Sequence, residues 1–202
     1  KILVTGGSWF IGCNLIELLN KLDYEVLNID DLSLNNSKLS KYWIKCNILD
    51  FKKLDFLVKN FNPEYIIHLA ARTDLRGKSV EEYSANTLGT KNLIRSILEL
   101  NNVKKVLFAS SRLVCKIGHK PESEDEYSPT TPYGMSKVES ELIIRDLCKN
   151  ASFDWLIFRP TSIWGPWFDE PYVDFFKALV KGRYIHPYKF NISKSFRYVG
   201  TS

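Results

Sequence analysis

The sequence has few of the residues that build disulfide or metal sites, and it has no long apolar run. Its four cysteines are far apart and show no metal-ligand spacing, so we expect free, buried thiols instead of a disulfide framework or a zinc site. No uninterrupted apolar stretch is long enough to cross a bilayer, and the first residues lack the order of a signal peptide. These absences predict a soluble, cytoplasmic protein with no membrane partner.

The sequence also has a single methionine and a small net charge. Met135 is the single methionine, and the chain breaks off just after a predicted strand, so we expect a fragment that lacks residues at both ends. The formal net charge of +5 is modest, and the basic residues are interspersed with acidic ones, which favours a small anionic ligand over nucleic acid. A chain of 202 residues, 45% of them hydrophobic, can fill the core of one domain, or of one domain plus a piece of another.

Short β-branched runs alternate along the chain with longer helical patterns. The predicted strands are Ile2–Thr5, Glu25–Ile29, Trp43–Cys46, Tyr65–Leu69, Lys105–Ala109, Trp155–Arg159 and, more weakly, Phe196–Val199. The predicted helices are Ile11–Lys21, Phe51–Phe61, Val80–Asn101 and Pro132–Lys149. This alternation predicts an α/β fold of the Rossmann type, a doubly wound parallel sheet with helices on both faces. The polar stretch Lys116–Thr131 is predicted to be a surface loop beside a ligand crevice.

The segment "TGGSWFIG" follows the first strand, and its last residue, Gly12, opens the first helix. Glycines let a pyrophosphate approach the backbone, and the free N–H groups and dipole of a helix N-terminus favour that anion. Asp30 ends the next strand, where a carboxylate accepts hydrogen bonds from the ribose of NAD and repels the extra phosphate of NADP. Asp31 is adjacent, but strand alternation favours Asp30. The alternative is an α/β sheet whose turn binds nothing.

Trp9 stands in this turn where a glycine is expected. A bulky group there can crowd the pyrophosphate. We expect the indole to point outward, and NAD to bind with reduced affinity.

The segment "TPYGMSK" places Tyr133 and Lys137 on one face of a predicted helix. A nearby ammonium favours the phenolate of a tyrosine, which can then act as a general base. Ser110 and Ser111 end a predicted strand, where ligands bind in open α/β sheets. The alternative is a tyrosine packed at a helix start beside a solvated lysine.

The sequence resembles the extended short-chain dehydrogenase/reductase family, in particular its nucleotide-sugar epimerases and dehydratases. The resemblance rests on the segments above together with "HLAA" (68–71), "NTLGT" (86–90) and "FRPTSIWGP" (158–166). It implies that Ser111 hydrogen-bonds the reacting hydroxyl, that Tyr133 removes its proton, and that Lys137 holds the nicotinamide ribose and tunes Tyr133. The NAD-binding residues that it implies are Gly6, Gly7, Trp9, Phe10, Ile11, Gly12, Asp30, Asp31, Asn47, Ile48, Ala70, Ala71, Asn86, Tyr133, Lys137, Arg159 and Pro160.

The resemblance also implies an organisation and a reaction. Residues 1–160 would form the NAD-binding domain, and residues 161–202 would begin a small substrate-binding region, with Ser111, Ser162, Lys194 and Arg197 facing the substrate. Helices Val80–Asn101 and Pro132–Lys149 would pair in a homodimer. The implied chemistry is hydride transfer from a sugar carbon to NAD, which gives a keto-sugar, and return of the hydride.

Several positions depart from the family pattern. Arg112 and Leu113 replace the Asp-Glu pair of 4,6-dehydratases, which disfavours dehydration by that route. Asn47 replaces a usual aspartate, and Ser162 replaces an asparagine that touches the substrate in many relatives. We therefore expect an NAD-dependent epimerase, or a related keto-sugar-forming oxidoreductase, that acts on a nucleotide-activated sugar. The alternatives are a sugar-nucleotide reductase and a non-catalytic dinucleotide-binding sensor or scaffold.

Overall fold

The computed structural model of the protein describes residues 1–34, 36–168, 173–183 and 196–201. The strands in these residues are β1 (Ile2–Thr5), β2 (Val26–Asp30), β3 (Trp43–Lys45), β4 (Tyr65–His68), β5 (Lys105–Ala109), β6 (Asp154–Phe158), β7 (Ser162–Trp164) and β8 (Phe196–Tyr198). The α-helices are α1 (Phe10–Lys21), α2 (Phe51–Phe61), α3 (Thr90–Leu98), α4 (Pro132–Leu147) and α5 (Val173–Val180). No helix in these ranges combines the length and apolar character needed to span a bilayer.

Six strands form one parallel sheet in the order β3-β2-β1-β4-β5-β6. The chain runs outward from β1 to β3 and then returns to β4 on the other side of β1, so Thr5 pairs with both Ile29 and His68. A crevice opens beyond the carboxyl ends of the strands where the order reverses in this way. The predicted doubly wound α/β fold is confirmed.

Helices cover both faces of the sheet, and each face has its own apolar core. Side chains alternate along β1, so that Leu3 packs in one core while Ile2 and Val4 pack in the other. All four residues of β1 are buried, as in a central parallel strand. The sheet is therefore rigid at its centre, where the first glycine turn begins.

The helix predicted over Val80–Asn101 is interrupted in the structure. It consists of a 3₁₀ turn (Glu81–Tyr83), a π-helix (Ala85–Gly89) and then α3. The π-helix contains Asn86, whose carbonyl accepts a 2.7 Å hydrogen bond from the Thr90 hydroxyl. Side-chain contacts of Asn86 with the chain after β4 accompany the wider turn, and a local helical pattern does not reveal them.

Regular structure also continues beyond Ser162, where the sequence alternation ends. β7 and β8 form a separate parallel pair, and α5 lies between them in the chain. β8 confirms the weaker strand predicted at Phe196–Val199. Two contacts tie this part to α1: the Asn14 side-chain amide donates to the Pro166 carbonyl at 2.9 Å, and the rings of Phe10 and Phe168 meet edge to face.

Candidate active site at the carboxyl edge of the sheet

The glycine turn after β1 lies close to the backbone that follows β4. Gly6 has a φ of +74°, and a Cβ atom there would collide with the backbone nitrogen of Ala70. A Cβ atom at Gly12 would collide with the Cα of Gly7. Both positions need glycine, one for its backbone conformation and both for the close approach.

Two side chains of β2 hold the amides of this turn. The Gly7 N–H donates to Asn28 Oδ1 and the Ser8 N–H donates to Asp30 Oδ2, both at 2.9 Å, while the Leu32 N–H donates to Asp30 Oδ1 at 3.0 Å. Burial raises the pKa of Asp30, and the hydrogen bonds from Leu32 and Ser8 oppose that shift. Asn28 was missed by the sequence analysis. The available signal was a polar side chain inside an otherwise apolar strand.

α1 begins at Phe10 without a side-chain cap, because its N-cap residue is Trp9. The opening amides of any α-helix lack helical partners, and together with the dipole they favour an anion. The backbone of Trp9 is extended, with φ −110° and ψ −174°, and its side chain is 45% exposed. The indole therefore points outward, as expected from the sequence, and the amides that begin α1 are left without a side-chain acceptor.

Asp31 and Asn47 meet at the carboxyl ends of β2 and β3. Asn47 Nδ2 donates to Asp31 Oδ2 at 3.1 Å, and Asn47 Oδ1 accepts from the Leu49 N–H at 2.8 Å. Both side chains of this pair are exposed, whereas Ile48 is buried. The Ile48 carbonyl accepts a 3.0 Å hydrogen bond from the Asn92 side chain, which fixes this loop on α3.

Asn86 links the segment after β4 to α4. Its Oδ1 accepts from the Arg72 N–H at 2.8 Å, and its Nδ2 donates to the Arg72 carbonyl at 3.1 Å and to Ser136 Oγ at 2.9 Å. Ala70 and Ala71 precede Arg72 and are partly buried. Asn86 thus orients the backbone beside the glycine turn.

Ser111 and Tyr133 come together through their side chains. The Ser111 hydroxyl accepts from the Leu113 N–H at 3.1 Å, so its own proton can be donated toward the nearby Tyr133 hydroxyl. Tyr133 lies in the first turn of α4 and is buried. The Thr131 hydroxyl caps this turn by accepting from the Gly134 N–H at 3.0 Å.

Lys137 lies one turn further along α4 and is also buried. Its Nζ donates to the Ala109 carbonyl at 2.9 Å. Burial lowers the pKa of Lys137 to about 8, and the negative charge of Glu141 opposes that shift. Burial raises the pKa of Tyr133, while the hydrogen bond with Ser111 lowers it. The expected lowering by Lys137 is not found in this arrangement, because the ammonium is directed at Ala109.

A buried histidine connects β1, β4 and α3. His68 Nδ1 lies 2.6 Å from Thr5 Oγ1, and His68 Nε2 lies 3.0 Å from Thr90 Oγ1. Because Thr90 donates its proton to the Asn86 carbonyl, it must accept from His68 Nε2–H, which assigns the other nitrogen as an acceptor from Thr5. Burial lowers the pKa of His68 to about 3, with a further contribution from Lys137, so the ring is neutral.

The remaining predicted site residues follow β6 or belong to β7 and β8, apart from Lys194. The guanidinium of Arg159 is paired with Glu141, and the Pro160 carbonyl accepts from the Arg112 N–H at 3.1 Å. Ser162 is partly buried in β7, and Arg197 is exposed in β8. Lys194 lies outside the described residues.

In the described part of the chain, no three His, Cys, Asp or Glu side chains are grouped as metal ligands.

Comparison with known proteins identifies the family. The sequence model of the NAD dependent epimerase/dehydratase family matches residues 2–182. The chain belongs to this family. The membership confirms the resemblance that the motifs indicate, and it agrees with the placement of the glycine turn and the Ser111–Tyr133 pair at one edge of the sheet.

Individual members of the family share part of the sequence. The UDP-glucose 4-epimerase of Vibrio cholerae is 30% identical over 193 residues, which are 90% of this chain and 57% of that protein. The GDP-6-deoxy-D-talose 4-dehydrogenase of Aggregatibacter actinomycetemcomitans is 38% identical over 152 residues, 71% of this chain and 47% of that protein. The chain thus spans about half the length of these curated relatives.

A solved structure from the same family shows the same fold. The UDP-N-acetylglucosamine 4-epimerase of Methanobrevibacter ruminantium M1, in complex with UDP-N-acetylmuramic acid, superposes with a TM-score of 0.81 at 30% identity. The match covers 98% of this chain and 69% of that one.

Proposed function

We propose that the protein is an NAD-dependent epimerase, or a related keto-sugar-forming oxidoreductase, that acts on a nucleotide-activated sugar. The observation that carries this proposal is the placement of the Ser111 hydroxyl beside the buried Tyr133 side chain, with Lys137 buried one turn further along α4. These three side chains lie at the same edge of the sheet as the uncapped glycine turn. Relatives named as 4-epimerases support the reaction class.

The glycine turn fits the pyrophosphate of NAD. Gly6 and Gly12 leave no side chain between a ligand and the backbone, and the amides of Phe10 and Ile11 open α1 without a capping side chain. Because the Gly7 and Ser8 amides are already bonded to β2, we assign the pyrophosphate to the start of α1. When bound, NAD would supply the hydride acceptor of the reaction.

Acidic and amide groups at the ends of β2 and β3 suit the adenosine half of NAD. Asp30 and Asp31 carry carboxylates that can accept from ribose hydroxyls and would repel the 2′-phosphate of NADP. Asn47, which donates to Asp31, would offer polar atoms to the adenine edge, and the backbone of Ile48 would lie beside it, since the Ile48 side chain is packed in the core. Ala70, Ala71 and Asn86 would line the central part of the cofactor. Pro160, whose carbonyl fixes the Arg112 amide, would line its nicotinamide end.

The chain's own residues would move one proton. Ser111 would hold the reacting sugar hydroxyl, and Tyr133 would remove its proton as general base. Lys137 would contact the nicotinamide ribose through its ammonium group. Arg112 and Leu113 follow Ser111 directly, so no carboxyl group is present there to expel water, and a keto-sugar would not be dehydrated by that route.

A sugar-nucleotide 4-dehydrogenase or reductase is the second candidate. It is favoured by the 38% identity with the GDP-6-deoxy-D-talose 4-dehydrogenase. In this chain, Ser111, Tyr133 and Lys137 could equally serve a reaction that ends after one hydride transfer. A non-catalytic sensor would not need a serine hydroxyl beside a buried tyrosine and a buried lysine. Ser162 and Arg197 remain the proposed substrate contacts among the described residues.

The proposed organisation follows the same reasoning. Residues 1–160 would bind NAD, and residues 161–202 would belong to the substrate-binding region. The exposed apolar residues Leu98, Met135 and Leu142 on the outer faces of α3 and α4 support a homodimer through these helices. We also propose a cytoplasmic location, where sugar nucleotides are available.

The test of the activity is the variant Tyr133→Phe in the full-length protein. The wild type is expected to convert one of UDP-glucose, UDP-N-acetylglucosamine or GDP-6-deoxy-D-talose, with product stereochemistry read by NMR. Tyr133→Phe should lower kcat by about 10²- to 10⁴-fold, because the general base is lost, while NAD still binds. The control is Tyr24→Phe at an exposed tyrosine of the same chain.

The cofactor balance separates the two candidates. Conversion without net change in the NADH absorbance supports an epimerase, whereas stoichiometric consumption or formation of NADH supports a dehydrogenase or reductase. Full activity of Tyr133→Phe would exclude the proposed mechanism in either case.

A further inference from the structure

Glu141 is a carboxylate in the interior of the fold, one helical turn beyond Lys137 on α4. It has no exposed surface. Its Oε1 accepts from the Ser110 hydroxyl and from Arg159 Nε at 2.9 Å, and its Oε2 accepts from Arg159 Nη2 at 2.6 Å and from the Tyr127 hydroxyl at 2.9 Å. Burial raises the pKa of Glu141, but the hydrogen bonds from Arg159, Ser110 and Tyr127 outweigh it and lower the pKa overall. The side chain is therefore ionised and fully hydrogen-bonded.

These hydrogen bonds join three segments to α4. Ser110 directly follows β5 and directly precedes Ser111, Arg159 directly follows β6, and Tyr127 belongs to the loop between β5 and α4. Arg159 also donates to the Glu124 carbonyl at 2.6 Å, which fixes the same loop. The position of Ser111 relative to Tyr133 therefore depends on the Glu141 cluster, by which we mean Ser110, Tyr127, Glu141 and Arg159.

Glu141 also acts electrostatically on Lys137. The charged and titratable groups that act on Lys137 are Glu141 on its own helix and His68 on β4, and His68 is neutral. Those that face Glu141 are Arg159 and Tyr127, and behind Tyr127 lies Arg145. Glu141 thus carries the negative charge that opposes the lowering of the Lys137 pKa by burial.

A buried ion pair of this kind is not explained by stability alone. Replacing such a pair with apolar residues of similar volume is often neutral or stabilising, whereas removing one partner is costly. A cluster of four hydrogen-bonded polar residues beside Ser111 and Tyr133 is better explained by a role in holding these two side chains in place.

We propose that Glu141 is a positioning residue, which holds Ser111 against α4 through Ser110 and supplies the negative charge that keeps Lys137 protonated. This inference rests on the proposed function, because it assigns Glu141 to the same reaction. Glu141 does not touch the substrate in this account. It acts through Ser111 and Lys137.

The first test compares Glu141→Gln with Glu139→Gln in the full-length enzyme loaded with NAD. Glu139 is exposed on the same helix, so its variant removes the same charge from a solvated position. In Glu141→Gln the negative charge one turn from Lys137 is removed, so the Lys137 ammonium deprotonates at lower pH. The alkaline limb of the kcat/KM profile should therefore move to lower pH by about one unit, whereas Glu139→Gln keeps the wild-type profile.

The second test uses Ser110→Ala, which removes the link to Ser111 and keeps the charge of Glu141. We expect kcat to fall about tenfold without a shift of the alkaline limb, because a displaced Ser111 holds the reacting hydroxyl less well. Circular dichroism and NAD binding check that each variant is folded. If Glu141→Gln does not fold, Ser110→Ala decides alone, and a kcat within about twofold of wild type overturns the proposal.

The outcomes separate this inference from the proposed function. Activity retained in Tyr133→Phe overturns both. An inactive Tyr133→Phe, together with Glu141→Gln and Ser110→Ala variants that behave like Glu139→Gln, overturns only the role of Glu141.

Discussion

Trp9 shows that the middle position of the glycine turn does not require glycine. Its backbone is in the ordinary extended region, whereas Gly6 and Gly12 are packed so closely that a Cβ atom would collide with other backbone atoms. The turn is therefore built correctly with a tryptophan in it. What Trp9 can change is the space in front of the α1 amides, where the pyrophosphate is proposed to bind.

The variant Trp9→Gly tests whether the indole crowds the cofactor. We expect the Kd for NAD to decrease by about three- to tenfold, which corresponds to about 1 kcal/mol. Isothermal titration calorimetry measures this directly, with Trp9→Phe as the control that keeps a large ring. An unchanged Kd in Trp9→Gly would show that the indole leaves the pyrophosphate site free.

A second prediction at the scale of one residue concerns the effect of His68 on the pH dependence of stability. Its pKa is about 3 in the folded protein and about 6.5 in the unfolded chain, so the unfolded state gains a proton first as the pH falls. The contribution to stability is present above pH 6.5 and is lost progressively toward pH 3. Between pH 7 and 5.5, this residue should lower the free energy of unfolding by about 1 kcal/mol.

Urea unfolding at these two pH values measures the effect of His68. His68→Gln should remove about 1 kcal/mol of the pH dependence, because glutamine does not titrate. His119→Gln, at a histidine paired with Glu126 near the surface, is the control. An unchanged pH dependence in His68→Gln would mean that the ring takes up its proton at the same pH in the folded protein as in the unfolded chain.

The sequence predicted the residues of the site by their type, but not their hydrogen bonds. Ser111, Tyr133 and Lys137 were predicted as site residues from their spacing and their place at strand and helix ends, and this assignment stays a prediction. Asn28, His68 and Glu141 have partners that are distant in the chain, and only the folded sheet brings these partners together. Their roles could not follow from local pattern.

At the scale of elements, the caps distinguish helices that serve stability from the helix proposed to bind phosphate. α2 begins with Asp50, whose carboxylate accepts from the Lys53 N–H at 3.2 Å, and α4 begins with Thr131. α1 begins with Trp9, which cannot cap. α3 also lacks a side-chain cap, but it continues directly from the π-helix, whereas the uncapped start of α1 follows a turn.

The two capped helices provide a paired test. Thr131→Ala and Asp50→Ala should each lower the free energy of unfolding by about 1 kcal/mol, because each leaves a helix amide without its acceptor. Only Thr131→Ala should also lower kcat, since Tyr133 lies in the turn that Thr131 caps. Chemical denaturation and the epimerase assay measure the two effects. Equal kcat in the two variants would argue against a precise placement of Tyr133 by the cap.

The interrupted helix that ends in α3 shows which part of an element the sequence pattern could not predict. Its apolar positions Leu93, Ile94 and Ile97 follow the helical period and are buried, so a helix was correctly expected there. The wider turn at Ala85–Gly89 coincides with hydrogen bonds of Asn86 to Arg72 and Ser136. Such a change of helical pitch depends on tertiary contacts that no periodicity contains.

At the scale of the whole molecule, the exposed apolar faces of α3 and α4 make the assembly testable. We expect the full-length protein to sediment as a dimer at micromolar concentration. Leu142→Glu should give a monomer, because it places a charge in the apolar face of α4 that is now 52% exposed at this residue. Leu22→Glu, at an exposed leucine at the end of α1, is the control. A wild-type monomer would contradict the proposed dimer.

The topology of the sheet could be predicted from the sequence. β1 and β5 have the predicted bounds, and the bounds of the other strands in the six-stranded sheet differ from the prediction by one residue. Strand and helix alternation, with short connections and right-handed crossovers, allows few arrangements of a parallel sheet. β7 and α5 were not predicted, because aromatic and proline residues there obscure the period.

The position of β1 between β2 and β4 also has a consequence for protein synthesis. Thr5 and His68, which meet at the end of these strands, are 63 residues apart in the chain. At a synthesis rate of about 5–20 residues per second, β1 waits several seconds on the ribosome before its second neighbour emerges. During that interval, the apolar surface of the first strands has no cover on one side. A nascent chain of this topology therefore presents a binding site for chaperones before it presents one for its cofactor.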